Sequence, residues 1–256
     1  MIILRGICFD EHSSFMTGAR LGPDKIRKAL FSRSTNSYSE LGVNLNEVDY
    51  MDKGDTSPLY SKIESITDHH LELGDKILTM GGDHSITYPI IKSYAKVYPK
   101  FDILQFDAHS DLYDNFEGNP LSHACPFARI MEEGLCDRLV QVGIRCLTPH
   151  QREQAQKFGV EIIEMKDFNP TTFPEFKNPL YISLDLDGFD PAYAPGVSHH
   201  EPGGLTPREV LKIIHGINTP IIGADVVELN PDRDPTNISA ALAGKLVKEL
   251  ICKMHA

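Results

Sequence analysis

The chain has 256 residues, of which 41% are apolar and 24% charged, and this composition excludes a disordered, collagen-like or coiled-coil protein. The formal net charge of −11 argues against nucleic acid as a partner and favours a small cationic ligand. No run approaches the ~18 consecutive apolar residues of a membrane span, and the opening apolar run is too short for a secretory signal.

In chain order, apolar runs alternate with amphipathic stretches. Residues 2–9 predict a strand, and 23–31 a helix with Pro23 in its first turn. A strand over 76–80 precedes a helix over 87–98; a strand over 101–107 precedes a helix over 127–133. Strands over 139–142 and 161–165 flank a helix over 149–158. A strand over 180–185 follows, then a helix over 207–217 with Val210, Leu211, Ile213 and Ile214 as its apolar stripe. A strand over 220–227 and a helix over 239–254 complete the chain. This alternation implies an α/β fold: one doubly wound domain over residues 1–256 with a mainly parallel sheet. The five cysteines (Cys8, Cys125, Cys136, Cys146, Cys252) are odd in number and lack CxxC spacing, which fits a reducing compartment; a cytoplasmic enzyme is the expectation.

Ligands of open α/β sheets bind where strands end and loops begin. Four polar segments sit there: Gly81 to Ser85, Asp107 to Asp111, Asp185 to Asp190, and Glu228. Side chains at i and i+2 of an extended chain share a side, so Asp107 and His109 can face one site, as can Asp185 and Asp187. A lone acid after a strand is more often a helix cap, and Asp83 or Ser85 fits that role before the helix at Thr87. Together, however, His84, Asp107, His109, Asp111, Asp185, Asp187 and Glu228 would repel one another unless cations intervened. The carboxylate-rich set suits hard divalent ions such as manganese or magnesium, and six ligands suit two ions.

These segments resemble the signatures of the ureohydrolase family, which includes arginase and agmatinase. The resemblance continues through residues 194–205 and 223–231, and the N-terminal run from Gly18 to Pro23 is similar to agmatinases. It implies an arginase-like fold, assembly as a trimer or hexamer, and hydrolysis of a guanidinium substrate to urea and an amine with two manganese ions per chain. It assigns His84, Asp107, Asp111 and Asp185 to one ion and Asp107, His109, Asp185 and Asp187 to the other. It places Glu228 on the guanidinium and His123 in proton transfer. Gly188, often Cys in the family, and Ala124, often Gly, depart from the pattern without removing a ligand.

Agmatine is the expected substrate, with arginine and then guanidinobutyrate as alternatives. Animal-type arginases hold the arginine carboxylate with an Asn- and Ser/Thr-rich loop, whereas this loop carries Tyr113, Asp114 and Glu117. Residues 116–132 nonetheless resemble plant-type arginases. A metal-dependent deacetylase would need one zinc and fewer carboxylates; a non-catalytic metal-binding protein would need neither His123 nor Glu228.

Overall fold

A computed structural model describes residues 1–170 and 172–255. Eight strands form one sheet: β1 (Ile2–Ile7), β2 (Tyr50–Thr56), β3 (Lys76–Met80), β4 (Asp102–Phe106), β5 (Arg138–Ile144), β6 (Glu161–Glu164), β7 (Leu180–Asp185) and β8 (Ile221–Val227). Their order is β2-β1-β3-β8-β7-β4-β5-β6, and every pairing is parallel. Among the described residues there are seven α-helices: α1 (Gly22–Leu30), α2 (Ile63–Glu72), α3 (Thr87–Val97), α4 (Pro126–Glu132), α5 (Pro149–Phe158), α6 (Pro207–Gly216) and α7 (Ile238–His255).

Two apolar clusters flank the sheet. On one face, Leu78, Leu104 and Ile182 pack with α1, α6 and α7 through residues such as Ile26, Ile214 and Leu250. On the other, Ile77, Ile103 and Tyr181 pack with α2, α3 and α4 through Leu71, Ile90 and Phe127. Successive strand residues thus feed opposite layers, so the central strands read as continuous apolar runs. Pro at the first turn and reciprocal capping boxes start α5 at Thr148 and α6 at Thr206.

Each expected strand and helix is present, with ends shifted by up to two residues. Two elements were not expected. The edge strand β2 alternates half-buried and exposed residues and contains Gly54, so no apolar run marks it. Helix α2 carries two histidines and only three buried residues. The five cysteines are free, and no described helix is long and apolar enough to cross a membrane.

One row of polar residues crosses the buried sheet in register. Arg5 pairs with Thr79, Thr79 with Asp225, Asp225 with Ser183, Ser183 with Gln105, and Gln105 with Gln141. All six are buried. The row lies just before the C-terminal strand ends, on the side that meets α2 and α3.

The turn after β3 must pass very close to the start of the chain. A Cβ on Gly82 would lie 1.8 Å from the carbonyl oxygen of Phe9, which is backbone and cannot swing aside. We therefore expect Gly82→Ala to destabilise the protein by about 1–3 kcal/mol, the usual cost of overpacking, when measured by denaturant unfolding. Unchanged stability would contradict the close approach.

Candidate metal centre and active-site cavity

The four polar segments leave the C-terminal ends of β3, β4, β7 and β8, which are neighbours at the centre of the sheet. That adjacency brings His84, Asp107, Asp111 and Asp185 together. His84 Nδ1 lies 3.1 Å from Asp107 Oδ2, 3.1 Å from Asp111 Oδ2 and 3.2 Å from Asp185 Oδ2. A second group forms beside the first: His109 Nδ1 is 3.1 Å from Asp187 Oδ2 and 3.6 Å from Asp107 Oδ1. The two oxygens of Asp107 therefore face different histidines, as a shared ligand requires. For Asp185 the geometry is less symmetric. One oxygen faces His84, while the other accepts the Asp187 amide at 2.8 Å.

The polar row fixes these groups from beneath. Ser183 Oγ donates to Asp225 Oδ1 at 2.7 Å, so at 2.9 Å from His84 Nε2 it accepts that ring N–H. With Nε2 donating to Ser183, His84 Nδ1 is the nitrogen left for a cation, and it points at three carboxylate oxygens. Lone pairs converging on one point fit a cation, so the residues present suit a divalent ion. Asp225 also accepts from Tyr181 Oη at 2.8 Å and Thr87 Oγ1 at 3.0 Å. Gln105 Nε2 donates to Asp107 Oδ2 at 2.7 Å, and Gln141 Nε2 donates to Gln105 Oε1 at 2.5 Å. Buried Arg5 donates to Thr79 and Thr67, adding a positive charge near Asp225.

The acids are under mutual strain. Burial, then Asp187 and Asp107, raises the Asp185 pKa well above the carboxylate range. Burial and Asp107 raise that of Asp111 to about 6. Burial opposes charging of His84, yet Asp107, Asp111 and Asp185 raise its pKa well above the usual imidazole value. In each case the missing compensation is positive charge at the centre of the group.

Glu228 and Asp111 adopt left-handed backbone, with φ of 66° and 49°, which is costly for residues with a Cβ. Glu228 is pinned by its N–H on Gly82 O at 2.8 Å, and its Oε1 accepts from His84 N at 2.9 Å and His123 Nδ1 at 2.8 Å. Ser14 N donates to His123 Nε2 at 3.1 Å, with Ser14 Oγ at 2.7 Å. Burial works against charging His123, but Glu228 prevails and raises its pKa to about 9. Asp83, by contrast, caps the turn into α3: its carboxylate accepts from Ser85 N at 3.1 Å.

All of this lies under a cavity of about 460 Å³. Asp111, Asp185, Asp187, His109, His123 and Glu228 line it. So do Ser14, Cys146, Thr148, His199 and Glu201, to which sequence reasoning gave no role. Cys146 follows β5 just as the ligand segments follow their strands, and that position is the signal that could have found it. His199 stands between two site imidazoles, its ring centre 5.8 Å from that of His109 and 5.4 Å from that of His123. Gly188 packs against the backbone of Asp107, where a Cβ would lie 2.8 Å from Asp107 N. The expectation of acids at the entrance is corrected here. Asp114 is exposed and turned to His150 Nε2 at 3.1 Å, and Glu117 is exposed on a turn; neither lines the cavity.

The profile of the arginase family matches residues 1–252. The chain belongs to the arginase family. An arginase of Medicago truncatula, described as mitochondrial, is 42% identical over 98% of this chain and 81% of its own length. An agmatinase of Bacillus anthracis is 33% identical over 98% of this chain and 90% of its own. The solved Medicago truncatula arginase superposes with a TM-score of 0.93, covering 99% of this chain and 87% of that one. Arginase-family membership makes the protein a hydrolase of guanidino C–N bonds.

The polar row generates a prediction. Ser183→Ala or Asp225→Asn frees the His84 ring from its fixed tautomer, and we expect divalent-ion affinity to fall about 10–100-fold. Titration calorimetry of metal-stripped protein measures this, with circular dichroism confirming the fold. Unaltered affinity in both folded variants would show that the row does not position the ligand.

Proposed function

We propose that the protein is a binuclear manganese-dependent ureohydrolase whose substrate is arginine. The observation that carries the reading is the pair of ligand groups sharing Asp107, set under a cavity whose floor presents Glu228. His84, Asp107, Asp111 and Asp185 would hold one ion, and Asp107, His109 and Asp187 the other, with Asp185 beside them. The hard oxygen donors favour manganese over zinc. When bound, the ions supply Lewis acidity that activates water for attack on the guanidinium carbon.

The remaining work falls to the chain's own side chains. Glu228 accepts charge-assisted hydrogen bonds from the guanidinium, worth about 1.5–3 kcal/mol each in a buried site, and fixes its orientation. Its left-handed backbone aims the carboxylate into the cavity. His123 keeps one proton on Nδ1 toward Glu228, and a proton taken up at Nε2 displaces the Ser14 N–H hydrogen bond there. From there it reaches the cavity through the Ser14 hydroxyl and protonates the departing amine.

Arginine rather than agmatine follows from two considerations. With Asp114 and Glu117 off the cavity wall, the ground for excluding a carboxylate is gone. The wall instead presents Thr148 and Gln151 at the N-terminus of α5, whose partial positive charge suits an anion. Glu201 on the same wall suits the α-ammonium group. The higher identity to a plant arginase than to an agmatinase supports the same choice.

Urea release from arginine and agmatine, measured in parallel on manganese-loaded protein, tests the reading. Arginine should show the higher kcat/KM, and His123→Ala should lower kcat about 100-fold or more while metal content stays unchanged. A preference for agmatine would overturn the substrate; urea from neither would overturn the activity.

A further inference from the structure

Beside the paired ligand groups lies a third set of donors of different chemistry. A ring nitrogen of His109, the sulfur of Cys146 and a carboxylate oxygen of Glu201 all lie within 4.8 Å of one another. Cys146 and Glu201 are half-buried and line the same cavity. We propose that this set is a separate site for a thiophilic divalent ion of the zinc or cadmium kind, and that its occupation blocks the cavity.

The donors are held in place by the fold. Arg145 N donates to Ala108 O at 3.0 Å, which sets Cys146 beside His109. The Arg145 guanidinium donates to Glu201 O at 2.8 Å from Nε and 2.6 Å from Nη2. It also holds Asp187 O at 2.7 Å and Gly188 O at 3.2 Å. One side chain therefore ties the Glu201 loop to the turn that carries Asp187, with Cys146 next in the chain. Its charge is spent on main-chain oxygens and leaves the carboxylate of Glu201 available.

The chemistry separates this set from its neighbours. Thiolate and imidazole select zinc-like ions, whereas the neighbouring groups offer mainly carboxylate oxygen. Charge also closes locally: with His109 Nδ1 facing Asp107 and Asp187, an arriving divalent ion meets His109 Nε2, the Glu201 carboxylate and a Cys146 thiolate, and the protons of Nε2 and of the thiol are released to solvent as the bonds to nitrogen and sulfur form. Three protein donors leave a further position for water. An ion there stands on the cavity wall next to His109, in the path of a substrate approaching Glu228.

Cadmium titration of the manganese-loaded protein tests this, read by the ultraviolet cadmium–thiolate absorption and by urea release on the same samples. The expected result is a band that saturates at one cadmium per chain, loss of urea release in step with it, and no manganese released. Cys146→Ser should lose the band and tolerate about tenfold more cadmium, each variant being scored against its own cadmium-free rate. Glu201→Gln should keep the band but require more cadmium to reach it. A band of wild-type size in Cys146→Ser, or manganese released in proportion to cadmium bound, would overturn the site. The band reports the site even if the protein releases no urea, so failure here is distinct from failure of the proposed activity.

Discussion

Carboxylates packed side by side away from water set the terms for everything else in this structure. At 4 Å, and at the effective dielectric of a protein, two like charges cost about 4 kcal/mol. Here Asp107, Asp111 and Asp185 all lie within 3.2 Å of one imidazole nitrogen, and Asp187 stands against a second imidazole. Such a cluster persists only if the fold holds it rigidly and something positive joins it. Its location follows from that need. The central parallel strands are covered on both faces, and their C-terminal ends open directly on the cavity.

The buried polar row is the fold's provision for the cluster. A row of hydrogen-bonding side chains inside a sheet costs stability unless every member is partnered. Ser183 links His84 to Asp225, and Gln105 links Asp107 to Gln141, so the row reaches upward into the site at two points. The left-handed backbone of Glu228 and Asp111 is the counterpart on the cavity side. There the chain accepts local strain to aim two carboxylates that extended geometry would send elsewhere.

Much of this is legible in the sequence. The strand-end position of His84, Asp107, Asp185 and Glu228 is visible because buried parallel strands read as apolar runs. The residues spaced i, i+2 do come together, but through turns and not extended chain: Asp107 accepts the His109 N–H and Asp185 the Asp187 N–H, with Asp187 in a 3-10 turn. Strand order is not legible, since it depends on which layers each helix covers, and it alone makes β3, β8, β7 and β4 neighbours. Ser183 and Gln105 sit two residues before ligands on the same strand face, a spacing that marks them in retrospect. Asp225 is hidden because its three hydrogen-bond partners come from two other elements, Tyr181 and Ser183 from β7 and Thr87 from α3. Asp114 and Glu117 misled because charge in a loop says nothing about which way the loop turns.

The central claim is that this acid cluster is built for two divalent ions and is incomplete without them. Thermal unfolding of metal-stripped protein during stepwise addition of manganese tests it most directly. The account predicts a low initial midpoint that climbs and stops rising at two equivalents per chain, because binding to the folded state alone adds stability. A midpoint indifferent to manganese, or one that levels off at a single equivalent, would contradict it.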